Sequence, residues 1–152
     1  MYGEYLLHHR LEVDRTDTPE DALDLLNRQQ PDVVVTELVF GRRSMTGPTF
    51  IQTVRRIVDN ATSIIVVSGF VRFEDREVAR EAGADLFLTK PALPRDVLYQ
   101  IRRALAAKID GAKLSWNWTQ PPADPPSIER RTYSLRAPLS MASDRPRRRA
   151  KA

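Results

Sequence analysis

Apolar positions along the chain fall into two kinds of block. Val33-Val34-Val35, Ile64-Ile65-Val66-Val67 and Leu86-Phe87-Leu88 are short continuous runs. Such runs suit parallel strands buried on both faces. Around them, apolar residues recur at helical spacing: Ala22, Leu23, Leu25 and Leu26; Phe50, Ile51, Val54 and Ile57; Val97, Leu98, Ile101 and Leu105. Residues 71–82 read as a more charged helix with Val78 and Ala79 turned inward. Tyr5, Leu6 and His9 predict the end of a helix over residues 2–9. The alternation in Leu11-Glu12-Val13-Asp14-Arg15 predicts a short strand. Strands alternating with helices predict an α/β fold built on a doubly wound parallel sheet.

Punctuation supports these elements. Thr18-Pro19-Glu20-Asp21 is a helix start, with Thr18 as cap, Pro19 in the first turn and acids at the positive helix end. Pro31 closes that helix, and Gly83 suits the end of the one before Leu86. Gly41, Gly47 and Pro48 make residues 39–49 a loop.

Charge divides the chain. Residues 1–110 carry 15 basic and 17 acidic side chains, whereas residues 111–152 carry 9 basic and 3 acidic ones, net +6. Four prolines fall between Gln120 and Ser127, and no apolar period continues beyond Asp110. The expected organisation is a domain over 1–110 and a Pro-rich, basic, disordered tail over 111–152. Leu114-Ser115-Trp116-Asn117-Trp118 is the exception in that tail, an alternating spot that either docks on the domain or a partner or is a short hydrophobic stretch with no special role.

Several chemistries are disfavoured. There is no cysteine, so thiolate metal sites and disulfides are excluded. His8 and His9 are adjacent and point apart on a helix, a poor metal pair. No Gly-rich nucleotide loop or nucleophile elbow is present, so no enzyme activity is expected. Glu4, Glu12, Asp14, Arg15 and Asp17 interrupt the first twenty residues, so no secretory signal is expected. The apolar runs are too short to span a bilayer, and a cytoplasmic location is the expectation.

Three polar residues end the three predicted strands: Glu37, Ser68 and Lys90. Ligands of open parallel sheets bind beyond these carboxyl ends. The segments Pro31–Leu38, Ser63–Gly69 and Glu81–Pro91, in that order, resemble the receiver domain of two-component response regulators over roughly residues 5–107. Lys90-Pro91 with its Gly83-Ala84-Asp85 lead-in is the most specific part. The resemblance implies a flavodoxin-like fold and a phosphoacceptor aspartate at a position that here holds Glu37. It further implies that Ser68 turns inward to contact the phosphoryl group and that Phe87 reports the switch. Lys90 would pair with the phosphoryl group and precede Pro91, usually through a cis peptide.

The chain departs from the family in three ways. Family members open with a strand ending in two acids that hold Mg2+. That strand is missing, because the sequence begins inside what resembles the first helix. Asp14 and Asp17 are not substitutes, so no cofactor is expected. Met1 is then expected to be internal to a longer chain, with a sheet that closes differently or a decayed, non-functional fragment as alternatives. Loss of the strand is expected to leave the edge of Val33–Val35 unpaired and helix 2–9 without its packing partner. Second, Glu37 carries its carboxylate one methylene further than aspartate, towards Lys90; a fixed ion pair there either mimics the phosphorylated charge state or leaves Glu37 as a neutral-drift relic that holds Lys90 in place. Third, the loop Phe40–Gly47 is about two residues longer than the family's Met-Pro-Gly stretch and carries Arg42 and Arg43; these are expected to be solvated loop charges, the alternative being that they disfavour docking of a standard kinase or phosphotransfer partner.

The expectation is a stand-alone receiver-like signalling protein of a phosphorelay, not phosphorylated at the usual site. Its partners would be a sensor kinase, a phosphotransfer protein or a downstream signalling protein. The resemblance implies that contact runs through the face around helix 71–82, strand 86–88 and helix 94–107. The alternative is a scaffold whose basic tail binds nucleic acid weakly and without sequence preference.

Overall fold

The computed structural model describes residues 2–41, 45–69, 72–112 and 114. The elements in chain order are α1 (Tyr2–His8), α2 (Pro19–Arg28), β1 (Val33–Thr36), α3 (Gly47–Ile57), β2 (Ser63–Ser68), α4 (Phe73–Ala82), β3 (Leu86–Thr89) and α5 (Pro94–Ile109). The three apolar runs become a parallel sheet in the order β1-β2-β3. Val33 lies opposite Ser63, and Ile65 lies opposite Leu86. With helices on both faces, this is a reduced flavodoxin-like fold.

Alternation along the strands sends side chains to two cores. Ile64, Val66 and Phe87 meet Phe50, Ile51 and Val54 of α3 and Ala79 and Ala82 of α4. Ile65, Val67, Leu86 and Leu88 meet Val97, Leu98, Ile101 and Ala104 of α5, together with Leu6 of α1 and Leu114. All six residues of β2 are buried, as a two-sided apolar run requires. Each helix begins or ends where local chemistry allows. The Thr18 hydroxyl accepts the Asp21 N–H at 3.1 Å, and Pro19 occupies the first turn of α2. Gly83 ends α4 with a φ of 109°, in the left-handed region open to glycine.

One ion pair fastens α3 beneath the sheet. The Arg55 guanidinium bonds Asp85, the Gly83 carbonyl at 2.8 Å and the Thr62 carbonyl at 2.9 Å. Asp85 also accepts the Ile64 N–H at 2.8 Å. Arg55 therefore ties its helix to the entries of both β2 and β3, and Asp85 is buried.

Four expectations need correction. Alternation predicts a strand over 11–15, but these residues form none. Leu11 and Val13 are half-buried while Glu12 and Asp14 are exposed. The side-chain pattern is present, but a strand also needs backbone partners. Helix 2–9 is not left without a packing partner: α1 lies on α5, with Leu6 buried and the Tyr2 hydroxyl donating to the Ala92 carbonyl at 2.8 Å. Val78 is not turned inward. It is 41 % exposed, whereas Ala79 is fully buried, so the inner face of α4 is narrower than the apolar pair implied. Finally, α5 continues to Ile109, two residues past the expected end at 107. The expected tail, apart from residues 111, 112 and 114, lies outside the described residues.

Two substitutions test this architecture. Removing one partner of a buried pair strands the other charge, so Arg55→Leu is expected to lower unfolding free energy by about 3 kcal/mol. The exposed pair of Arg80 with Glu77, at 2.7 Å, is the control. Arg80→Ala should cost less than about 0.5 kcal/mol. Urea unfolding of both variants measures the contrast, and equal losses would remove Arg55 from its anchoring role. Separately, a Cβ on Gly47 would lie 1.9 Å from the Leu38 carbonyl oxygen, a backbone atom with no room to yield. Gly47→Ala is expected to cost roughly 3 kcal/mol in the same assay.

Candidate functional site at the carboxyl end of the sheet

Parallel strands end together, so topology alone gathers Glu37, Ser68 and Lys90 at one end of the sheet. Glu37 follows β1 directly. Its backbone is held between the pairing of Thr36 with Val66 and the burial of Leu38. The start of α3 presses on Leu38 from outside, where only the missing side chain of Gly47 permits the approach. Lys90 follows β3. Its N–H donates to the Ser68 carbonyl at 2.8 Å, and the Lys90–Pro91 peptide is cis.

The two charged ends meet. Lys90 Nζ lies 2.8 Å from Glu37 Oε1 and 2.8 Å from Oε2. Their side chains are 37 % and 39 % exposed, so solvent screens the pair and its contribution to stability is small. Its consequence is geometric: both carboxylate oxygens accept from one ammonium, and the negative end of the site is neutralised within the molecule.

Ser68 does not join this pair. It is fully buried, and among the described residues its hydroxyl has no hydrogen-bond partner. Alternation puts it on the face of Ile64 and Val66, beneath α3 and α4. Phe87 is 2 % exposed on that same face. Arg76 of α4 lies over it, with the guanidinium carbon 5.9 Å from the ring centroid. Arg76 also donates to the Thr89 hydroxyl at 3.2 Å, one residue before Lys90. Sequence reading missed Arg76, because an arginine in a charged helix reads as solvated. Its signal was spacing: it stands three residues before the buried Ala79, on the same helix face. Arg42 and Arg43 lie outside the described residues.

The Mg2+ that the resemblance implies does not fit the residues present. The carboxylate of Glu37 is occupied by Lys90, and the described residues contain no cluster of three or more His, Asp or Glu placed to hold a metal. Asp14 is bonded to Gln29 at 2.8 Å, and Asp17 lies 3.6 Å from Arg15. Among the described residues no helix is long and apolar enough to cross a membrane.

Known proteins place this arrangement. A curated protein of Guillardia theta, named "Probable transcriptional regulator ycf27", is 30 % identical over 57 % of this chain and 32 % of its own length. One of Porphyridium aerugineum with the same name is 30 % identical over 64 % of this chain and 39 % of its own. The chain thus spans about a third of the length of these relatives. Among solved structures, a receiver domain protein (CheY-like) from Methanospirillum hungatei superposes with a TM-score of 0.67 and 21 % identity, over 73 % of this chain and 86 % of that one. A response regulator from Burkholderia pseudomallei, solved with a phosphorylated aspartic acid, calcium ion and citrate, gives a TM-score of 0.61 at 20 % identity, over 73 % and 64 %. These likenesses show the fold. Residues 1–102 match the model of the response regulator receiver domain, and the chain belongs to that family.

Proposed function

We propose that this chain is a receiver-like signalling module whose output does not depend on phosphorylation at the usual position. The observation that carries the reading is the contact of Lys90 Nζ with both oxygens of Glu37 at 2.8 Å. A phosphorylated site would present added negative charge to this lysine. Glu37 presents a permanent one and leaves no free carboxylate oxygen for in-line attack on a phosphodonor. Glu37 thus stands in the phosphoacceptor position as a fixed counter-charge. Ser68, Phe87, Lys90 and Pro91 take the places of the phosphoryl-contact and switch residues. Phe87 lies inside, under Arg76, which supports a single held state in place of a two-state response.

In this reading the module acts by protein–protein contact with a sensor kinase, a phosphotransfer protein or a downstream signalling protein. The surface of α4, β3 and α5 supplies the contact. Phe73, Leu93 and Tyr99 on it are 64 %, 47 % and 40 % exposed. A second reading, a basic segment that touches nucleic acid, draws on the net +6 charge of residues 111–152 and on the regulator name of the longer relatives. Retention on duplex DNA that falls steeply with salt would favour it.

The test has two parts. Purified protein incubated with acetyl phosphate and Mg2+ is expected to show no added phosphoryl group by intact mass, and a stoichiometric gain overturns the reading. Glu37→Gln removes the charge while keeping the shape. It is expected to weaken binding to the cognate phosphotransfer or kinase domain by about fivefold, near 1 kcal/mol. Unchanged affinity would mean the partner does not read the pair.

A further inference from the structure

Arg76 of α4 faces the sheet, and its own helix offers it no alternative. Side chains one turn apart on a helix are neighbours. The positions at that distance from Arg76 are Arg72, Phe73, Ala79 and Arg80, and none is acidic. The acids beside it in sequence are engaged elsewhere. Asp75 accepts the Arg72 N–H at 2.9 Å, and Glu77 bonds Arg80 at 2.7 Å. Ala79 is fully buried, which turns this side of the helix towards β3.

Two groups of β3 receive the arginine there. Phe87 and Thr89 point to one face, because side chains alternate along a strand. The Arg76 guanidinium carbon lies 5.9 Å from the Phe87 ring centroid, close enough for the ring face to attract the cation. Its Nη2 donates to the Thr89 hydroxyl at 3.2 Å. The head group thus reaches from the ring to the end of the strand. Arg76 is half-buried, whereas the ring beneath it is 2 % exposed, so the arginine lies between Phe87 and solvent.

This placement opposes another demand of the side chain. A guanidinium carries five N–H donors, which water satisfies when the side chain swings out. In the folded chain Nε is buried with no hydrogen-bond partner among the described residues. A buried donor without a partner is unfavourable. Ser68, opposite Thr89 in the ladder, likewise keeps its hydroxyl buried without a partner among the described residues. The ring face and Thr89 hold the arginine in, and hydration of Nε draws it out. Such a balance makes a latch that single substitutions can open.

We propose that Arg76 is a positioning residue of the signalling face: it closes over Phe87 and, with Thr89, keeps the ring inside. Removal of the guanidinium releases the ring towards solvent. The inference rests on the reading in which Phe87 takes the switch position, and it adds the group that holds the switch. The latch joins α4 to β3, two elements of the contact surface, so a partner seated on them meets the ring in its inward place.

Fluorine NMR of the full-length protein labelled with 4-fluorophenylalanine tests the latch. The signal lost in Phe87→Leu reports this ring, and the signal lost in Phe50→Leu reports a second buried ring of the same core. In Arg76→Met, which keeps an apolar stem, broadening of the Phe87 signal by a soluble gadolinium chelate is expected to rise about fivefold. The Phe50 signal should stay at the parent value. Thr89→Val should raise the Phe87 broadening about twofold, since the ring contact remains. Arg76→Lys, which keeps the charge without the planar fork, should restore part of the protection lost in Arg76→Met. A Phe87 ring as protected in Arg76→Met as in the parent overturns the proposal. An equal rise at Phe50 also overturns it, because the core would then have loosened as a whole. No phosphodonor enters this experiment, so phosphorylation of the purified protein would overturn the reading beneath the proposal without altering the fluorine result.

Discussion

Everything in this domain is arranged around a strand with no outward face. All six residues of β2 are buried, so its backbone must find partners on both sides and its side chains must find apolar cover above and below. β1 and β3 supply the first, and α3, α4 and α5 supply the second. The polar exceptions at its entry are handled locally. Asp85 accepts the Ile64 N–H, and Arg55 neutralises Asp85 while also bonding Gly83 and Thr62. The same arginine fixes α3, and the start of α3 bears on Leu38 beside Glu37. The entry end of the sheet thus supports the geometry of the far end.

At that far end, charge is settled inside the molecule. Glu37 and Lys90 come from strands separated by the whole of β2, and their contact fixes the distance between two loops. The pair is too exposed to contribute much to stability, so its importance lies in which charges remain to be offered to a ligand. Little negative charge remains free at that point. The Ser68 hydroxyl and the Arg76 Nε are both buried without hydrogen-bond partners among the described residues. Unmet polar groups of this kind are uncommon in folded proteins.

Among the described strands β1 pairs only with β2, and the segment 11–15 beyond α1 has strand-like side-chain alternation without a ladder of its own.

Much of this was legible in the sequence. The β-branched runs named the strands, the spacings of Phe50, Ile51 and Val54 and of Val97, Leu98 and Ile101 named two helices, and Thr18-Pro19 and Gly83 named boundaries. These are local signals, read from neighbours within a few residues. Lys90-Pro91 and the residues before it pointed to the family. The sequence misled where a pattern depends on what lies opposite: Leu11 to Arg15 alternates like a strand, and Val78 reads as inward. Nor did it reveal Arg55 or Arg76, since a charge in a helix carries no mark of the carbonyl or ring it will meet. The sequence by itself determined the three buried strands and the helices between them, and so that Glu37, Ser68 and Lys90 share one end of a sheet. The tertiary structure decided that Lys90 closes on Glu37 while Ser68 turns away beneath α4. Ion pairs, buried hydroxyls and strand edges depend on distances between segments far apart in the chain, and only packing sets those distances.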